Sequence, residues 1–198
     1  MRRREYRPWI AAALVAAAGG VSAAPVQAAS RCGARGIRTI LRTQQSRVFE
    51  VDGGDFYACQ GVGGREVLLP DLQFGPAGSF VSVRGHFVAY FSGIAQSPEG
   101  KVPPLGTVAV VNLRTGRRTV FAPAHADDGS GAYVGSIVVS AAGRAVWVGC
   151  GATCAVYSAR HDADYHTLDP GPVLDTSLRR HGRRVTWLHD HARRSARL

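Results

Sequence analysis

The stretch 135–150, GSIVVSAAGRAVWVGC, holds two apolar runs hinged on one glycine. Ile137, Val138 and Val139 lead into Gly143, after which Val146 and Val148 alternate with Ala145 and Trp147. Alternation at period two is the mark of a strand, because successive side chains point to opposite faces of a sheet. A glycine between two such runs marks a tight hairpin, whose turn demands positive φ. Trp147 points away from Val146 and Val148, and its environment is left open by the pattern. Whether the hairpin stands alone or is one copy of a unit decides the fold.

Aligning the chain on that glycine yields four candidates, Gly54, Gly85, Gly143 and Gly182. Three and five residues beyond them stand Tyr57 and Cys59, Val88 and Tyr90, Val146 and Val148, Val185 and Trp187. Each glycine is also preceded by a strand-like run: SRVFEVDG, SFVSVRG, SIVVSAAG and TSLRRHG. More strands follow, with GTVAVVNL turning through Thr115 and Gly116 into RTVFAP, and TCAVYSA running through RHDAD into YHTLDPGP. The markers lie 31, 58 and 39 residues apart, intervals that bracket the roughly 40–45 residues of a propeller blade. The long interval contains two turn-rich insertions, residues 92–104 and 122–133.

The segments SAAGRAVWVG and VAVVNLRTGRRTVF resemble the inner and outer hairpins of bacterial secreted β-propeller repeats of the TolB-like, YVTN-like or WD40-like kind. Such repeats carry Ser-Pro-Asp-Gly before the second strand; this chain keeps Ser140 and Gly143 but has Ala141 and Ala142 between them. Val110, Asn112, Leu113, Thr115 and Gly116 match the other half. The resemblance covers residues 46–198 and implies a scaffold, not a chemistry. The fold expected is all-β, a propeller-like array of about four small antiparallel sheets, with a β-sandwich of two packed sheets as the alternative. The last unit ends one strand short of a blade, and GIRTILR, residues 36–42, is expected to supply that strand as an N-terminal latch closing the ring.

Residues 1–28 read as a signal peptide, with a basic head, a short apolar run from Ile10 to Ala18 and small residues Val26 and Ala28 before the cut. The rest, 29–198, is one domain, exported and without a transmembrane anchor. Removing Arg2, Arg3, Arg4, Glu5 and Arg7 with the leader lowers the formal charge of +10 by three, and the mature chain stays basic. Four cysteines in an exported chain point to two disulfides. The close spacing in CGATC favours Cys150 with Cys154, which leaves Cys32 for Cys59.

His161, Asp162, Asp164 and His166, and separately His189, Asp190 and His191, have the residue types of metal ligands. Two imidazoles at i and i+2 on a strand share a face. Both clusters fall on hairpin connections, where Asp and His are ordinary turn residues, and no metal or other cofactor is expected. Asp127 and Asp128 read as a solvated loop. No Gly-x-Ser-x-Gly elbow is present, and GVGG at 61–64 lies between strands with no helix to receive an anion.

From residue 179 to the end stand seven arginines, Arg179, Arg180, Arg183, Arg184, Arg193, Arg194 and Arg197, against one acid, Asp190. They are candidate anion contacts, or charges that guard a sheet edge against further pairing. Trp187 alternates inward with Val185 and belongs to the core. The function expected is a secreted binding or structural module at the cell envelope, recognising a protein or envelope polymer through its two insertions. The alternative is a secreted hydrolase or lyase with a site composed across blades. Nucleic acid is not the expected partner, and composition excludes neither oligomers nor monomers.

Overall fold

A computed structural model describes residues 31–33, 37–51, 54–72, 80–93, 106–125, 133–162 and 164–198. Residues 1–28, where a leader is expected, Asp127, Asp128 and most of both insertions lie outside these residues. Among the described residues no helix is long and apolar enough to cross a membrane.

The protein is all-β: apart from a 3-10 turn at Arg31–Gly33, the described elements are strands in four antiparallel sheets. The first sheet contains β1 (Thr39–Arg42), β2 (Ser46–Val51), β3 (Asp55–Gln60) and β4 (Val67–Leu68). The second contains β5 (Val81–Arg84), β6 (Phe87–Ser92), β7 (Thr107–Asn112) and β8 (Arg118–Pro123). The third contains β9 (Tyr133–Val139), β10 (Ala145–Cys150), β11 (Cys154–Ala159) and β12 (His166–Asp169). The fourth has β13 (Arg179–His181), β14 (Arg184–His189) and β15 (Ala192–Arg197). Within every sheet the strands are neighbours in chain order, so each is a local meander, and four such sheets are consistent with a propeller-like array or with a sandwich of packed sheets.

The opening stretch is explained by what lies on its two sides. Ala145 and Trp147 face the second sheet, in a core with Phe87, Phe91, Val108 and Val139. Val146 and Val148 face the fourth, with Leu178, Val185 and Trp187. β10 is therefore apolar at every position because both faces are covered, and all six of its residues are buried. β6 is buried throughout for the same reason, since Val88 and Tyr90 face Val48, Ala58 and Leu69 of the first sheet. By contrast β14 and β15 read RVTWLH and ARRSAR, alternating because the fourth sheet has one apolar face.

All four marker glycines take positive φ, Gly54 at 87°, Gly85 at 59°, Gly143 at 83° and Gly182 at 60°. Gly85, Gly143 and Gly182 join the first and second strands of their sheets, whereas Gly54 joins the second and third of its own. The expected register thus slips by one strand in the first sheet. The turn that corresponds there is Thr43–Ser46, which has no glycine: the Thr43 hydroxyl accepts the Ser46 N–H at 3.0 Å, and the Thr43 N–H donates to the Ser46 carbonyl at 2.8 Å. Ser140 does similar work beside Gly143, accepting the Arg144 N–H at 3.0 Å.

The N-terminal latch is overturned. β1 pairs with β2 in the first sheet, and the fourth sheet keeps three strands. The cause is Arg47, a buried guanidinium on β2 that donates to the Thr39 hydroxyl at 2.8 Å, the Ile37 carbonyl at 2.9 Å and the Cys32 carbonyl at 3.3 Å. A buried cation must find such acceptors, and it draws Cys32, Ile37 and Thr39 onto its own sheet. The disulfide Cys32–Cys59 fastens the same segment over Phe49, Val51 and Tyr57. The second disulfide joins Cys150 and Cys154, which are directly paired across β10 and β11.

Candidate functional site

The register of the fourth sheet sorts the seven arginines. Cross-strand partners share a face, so the pairs Arg180 with Val185, Val185 with Ala196 and Trp187 with Arg194 define the side packed on the third sheet. The pairs Arg179 with Thr186, His181 with Arg184, Arg184 with Arg197, Thr186 with Ser195, and Leu188 with Arg193 define the opposite side. The structure thus brings Arg179, Arg184, Arg193 and Arg197 onto one outward face with His181. It sends Arg180 and Arg194 to the other face and leaves Arg183 in the turn after Gly182.

The outward face is cationic and preshaped. Arg179 donates to the carbonyls of Thr176 and Leu178 at 2.7 and 2.8 Å, and Arg184 donates to the Ser195 hydroxyl at 2.6 Å. Among the described residues no carboxylate pairs with Arg179, Arg184, Arg193 or Arg197. A groove of about 290 Å³ crosses it, lined by Leu174, Thr176, Arg179, His181, Leu188 and Arg193. Guanidinium forks, hydroxyls and an imidazole beside an exposed leucine suit an oxyanion attached to a less polar backbone.

The face is held in position by Asp169, at the end of β12. Its carboxylate is fully buried between the third and fourth sheets. Oδ2 accepts the indole N–H of Trp187 at 2.6 Å and a guanidinium N–H of Arg194 at 3.4 Å, while Oδ1 accepts the Gly171 N–H at 3.3 Å. Nδ1 of His189 lies 2.7 Å from Oδ1, and because an ionised carboxylate only accepts, that nitrogen carries the hydrogen. Burial pushes the Asp169 carboxyl up, but the bonds from Trp187, Gly171 and His189 outweigh it and hold the group below its ordinary value.

This arrangement disposes of the shared-face pair of imidazoles. β14 ends at His189, whose ring is turned onto Asp169; Asp190 and His191 form the following turn, with φ of 46° and 64°. His161, Asp162, Asp164 and His166 are exposed along the β11–β12 connection. Among the described residues no group of three His, Cys, Asp or Glu is placed to hold a metal. The tie through Asp169 has no local sequence signal, since it joins positions 18 and 20 residues apart across two sheets. No family model matches this chain, and no curated protein matches it either.

Proposed function

We propose that this chain is an exported binding module of the cell envelope, without catalysis of its own, that holds an anionic envelope polymer against the outer face of its last sheet. The observation that carries the reading is the convergence of Arg179, Arg184, Arg193 and Arg197 on one face. Guarding the sheet edges accounts for charge on β13 and β15, the two edge strands, but not for Arg184 on the central strand β14. Placing Arg184 directly opposite Arg197 sets like charges side by side, a cost that an anionic ligand relieves. Export rests on the leader-like N-terminus together with two disulfides.

The test is retention of the mature protein on immobilised heparin along a salt gradient, compared with a variant carrying Arg184→Ser, Arg193→Ser and Arg197→Ser. Wild type is expected to elute well after the variant, with a steeper salt dependence because fewer counter-ions are released when cations are removed. Elution of the two together, or tighter binding to a duplex DNA than to the glycan, overturns the reading.

A further inference from the structure

A second cleft, sharing no lining residue with the arginine face, lies where the β1–β2 turn meets the ends of β5 and β9. It measures about 470 Å³ and is lined by Thr43, Gln44, Gln45, Val83 and Arg84, within the roughly 300–1,000 Å³ usual for small-molecule sites. Its walls are fixed. The Gln45 N–H donates to the Thr43 hydroxyl at 3.3 Å, the Gln45 carbonyl accepts the Gly61 N–H at 2.8 Å, and the Ser46 hydroxyl donates to the Gly85 carbonyl at 3.0 Å, clamping the two turns together.

The working ends of the side chains are left over. Among the described residues no ion pair engages the exposed Arg84, and the bonds holding Gln45 involve its main chain. On the inner face of β13, Arg180 is near enough to feel the charge of Arg84. Burial, and then repulsion by Arg84, lower its pKa. The main chain of the cleft is fixed by these bonds, so the ordering that opposes binding is confined to the side chains of Arg84, Gln44 and Gln45.

We propose that this cleft binds a small acidic sugar, with the Arg84 guanidinium on its carboxylate or phosphate oxygens and the side-chain amides of Gln44 and Gln45 on its hydroxyl groups. The fork matches either oxyanion in bidentate geometry, and an amide both donates to and accepts from a hydroxyl. This site is independent of the polymer-binding face and shares no residue with it.

Calorimetric titration of the mature protein with glucuronate, glucose 1-phosphate, inorganic phosphate and glucose tests it. At least one sugar anion is expected to bind more tightly than glucose, and Arg84→Ala to weaken it by about tenfold or more, as loss of a charge-assisted pair does. A Gln44→Ala, Gln45→Ala variant, whose main-chain bonds are preserved, is expected to weaken the sugar anion while leaving inorganic phosphate unchanged. The serine variant of Arg184, Arg193 and Arg197 is expected to bind the sugar anion as wild type does, which separates this site from the outer face. The proposal is overturned if neither anion outbinds glucose, if a folded Arg84→Ala protein binds as wild type, or if the serine variant abolishes binding.

Discussion

The indole N–H of Trp187, on the middle strand of the fourth sheet, donates at 2.6 Å to the carboxylate of Asp169, on the last strand of the third, and both side chains are buried. With the bonds from His189 and Arg194 to the same carboxylate, that contact crosses the seam on which the candidate face depends. Removing one member of a buried charge-assisted network strands the other, at a cost larger than the bond itself. Asp169→Asn is therefore expected to lose about 3 kcal/mol of unfolding free energy, because an amide offers a donor where His189 and Trp187 also bring donors. Trp187→Phe should lose about 2 kcal/mol, from a carboxylate oxygen left with only the longer Arg194 bond and from a smaller ring. Urea unfolding of both single variants and the double variant should give a coupling energy above about 0.5 kcal/mol; additive losses would show that the contact carries no energy.

The same carboxylate sets an acid limit. Its pKa is held below the ordinary value of 3.8 in the folded protein, so the folded state binds its proton less readily than the unfolded chain does. The stability it confers is complete above the ordinary value and is lost as the pH falls through the lowered one. Thermal midpoints measured downward from neutral pH should fall more steeply in wild type than in Asp169→Asn once the ordinary value is passed. Parallel curves would assign acid denaturation to other groups.

How much of this was legible beforehand depends on whether the information is local. The alternation around Gly143 revealed strands, and the apolar character of both faces of β10 and β6 follows from sheets stacked on either side. The positions of Gly85, Gly143 and Gly182 were readable because a backbone that needs positive φ selects glycine. The first sheet misled the register because its equivalent turn is closed by the Thr43 hydroxyl, a device that leaves no glycine to align. The latch failed for a related reason: whether residues 39–42 pair with β2 or with the last sheet is decided by Arg47, whose acceptors lie on Cys32, Ile37 and Thr39. The seven arginines could be counted but not sorted, since their division between faces is set by the β13–β14–β15 register.

The marker glycines should not respond equally to alanine. A Cβ on Gly182 meets nothing within 4 Å, so Gly182→Ala faces only the left-handed backbone at φ 60°, a penalty of about 1–2 kcal/mol. A Cβ on Gly143 meets the same backbone penalty and also comes within 2.7 Å of Cε1 of Phe87, which is packed in the core between the second and third sheets. Forcing a ring out of a filled core adds about 1–3 kcal/mol. Gly143→Ala should thus be the more damaging of the two by at least about 1 kcal/mol in chemical denaturation, and equal losses would mean that the Phe87 ring yields freely.

The two disulfides should also differ, in proportion to the chain each one restrains. Cys32 and Cys59 are 27 residues apart and Cys150 and Cys154 only 4. Loop-closure entropy assigns about 3–4 kcal/mol to the first and about 2 kcal/mol to the second. The first also holds the segment that covers Phe49, Val51 and Tyr57, so its loss exposes apolar surface. Replacing Cys32 and Cys59 by serine should therefore lower the unfolding free energy by more than replacing Cys150 and Cys154, and should increase binding of a hydrophobic dye such as ANS. The reverse order of stabilities, or an unchanged dye signal, would show that Arg47 alone keeps Cys32, Ile37 and Thr39 on the first sheet.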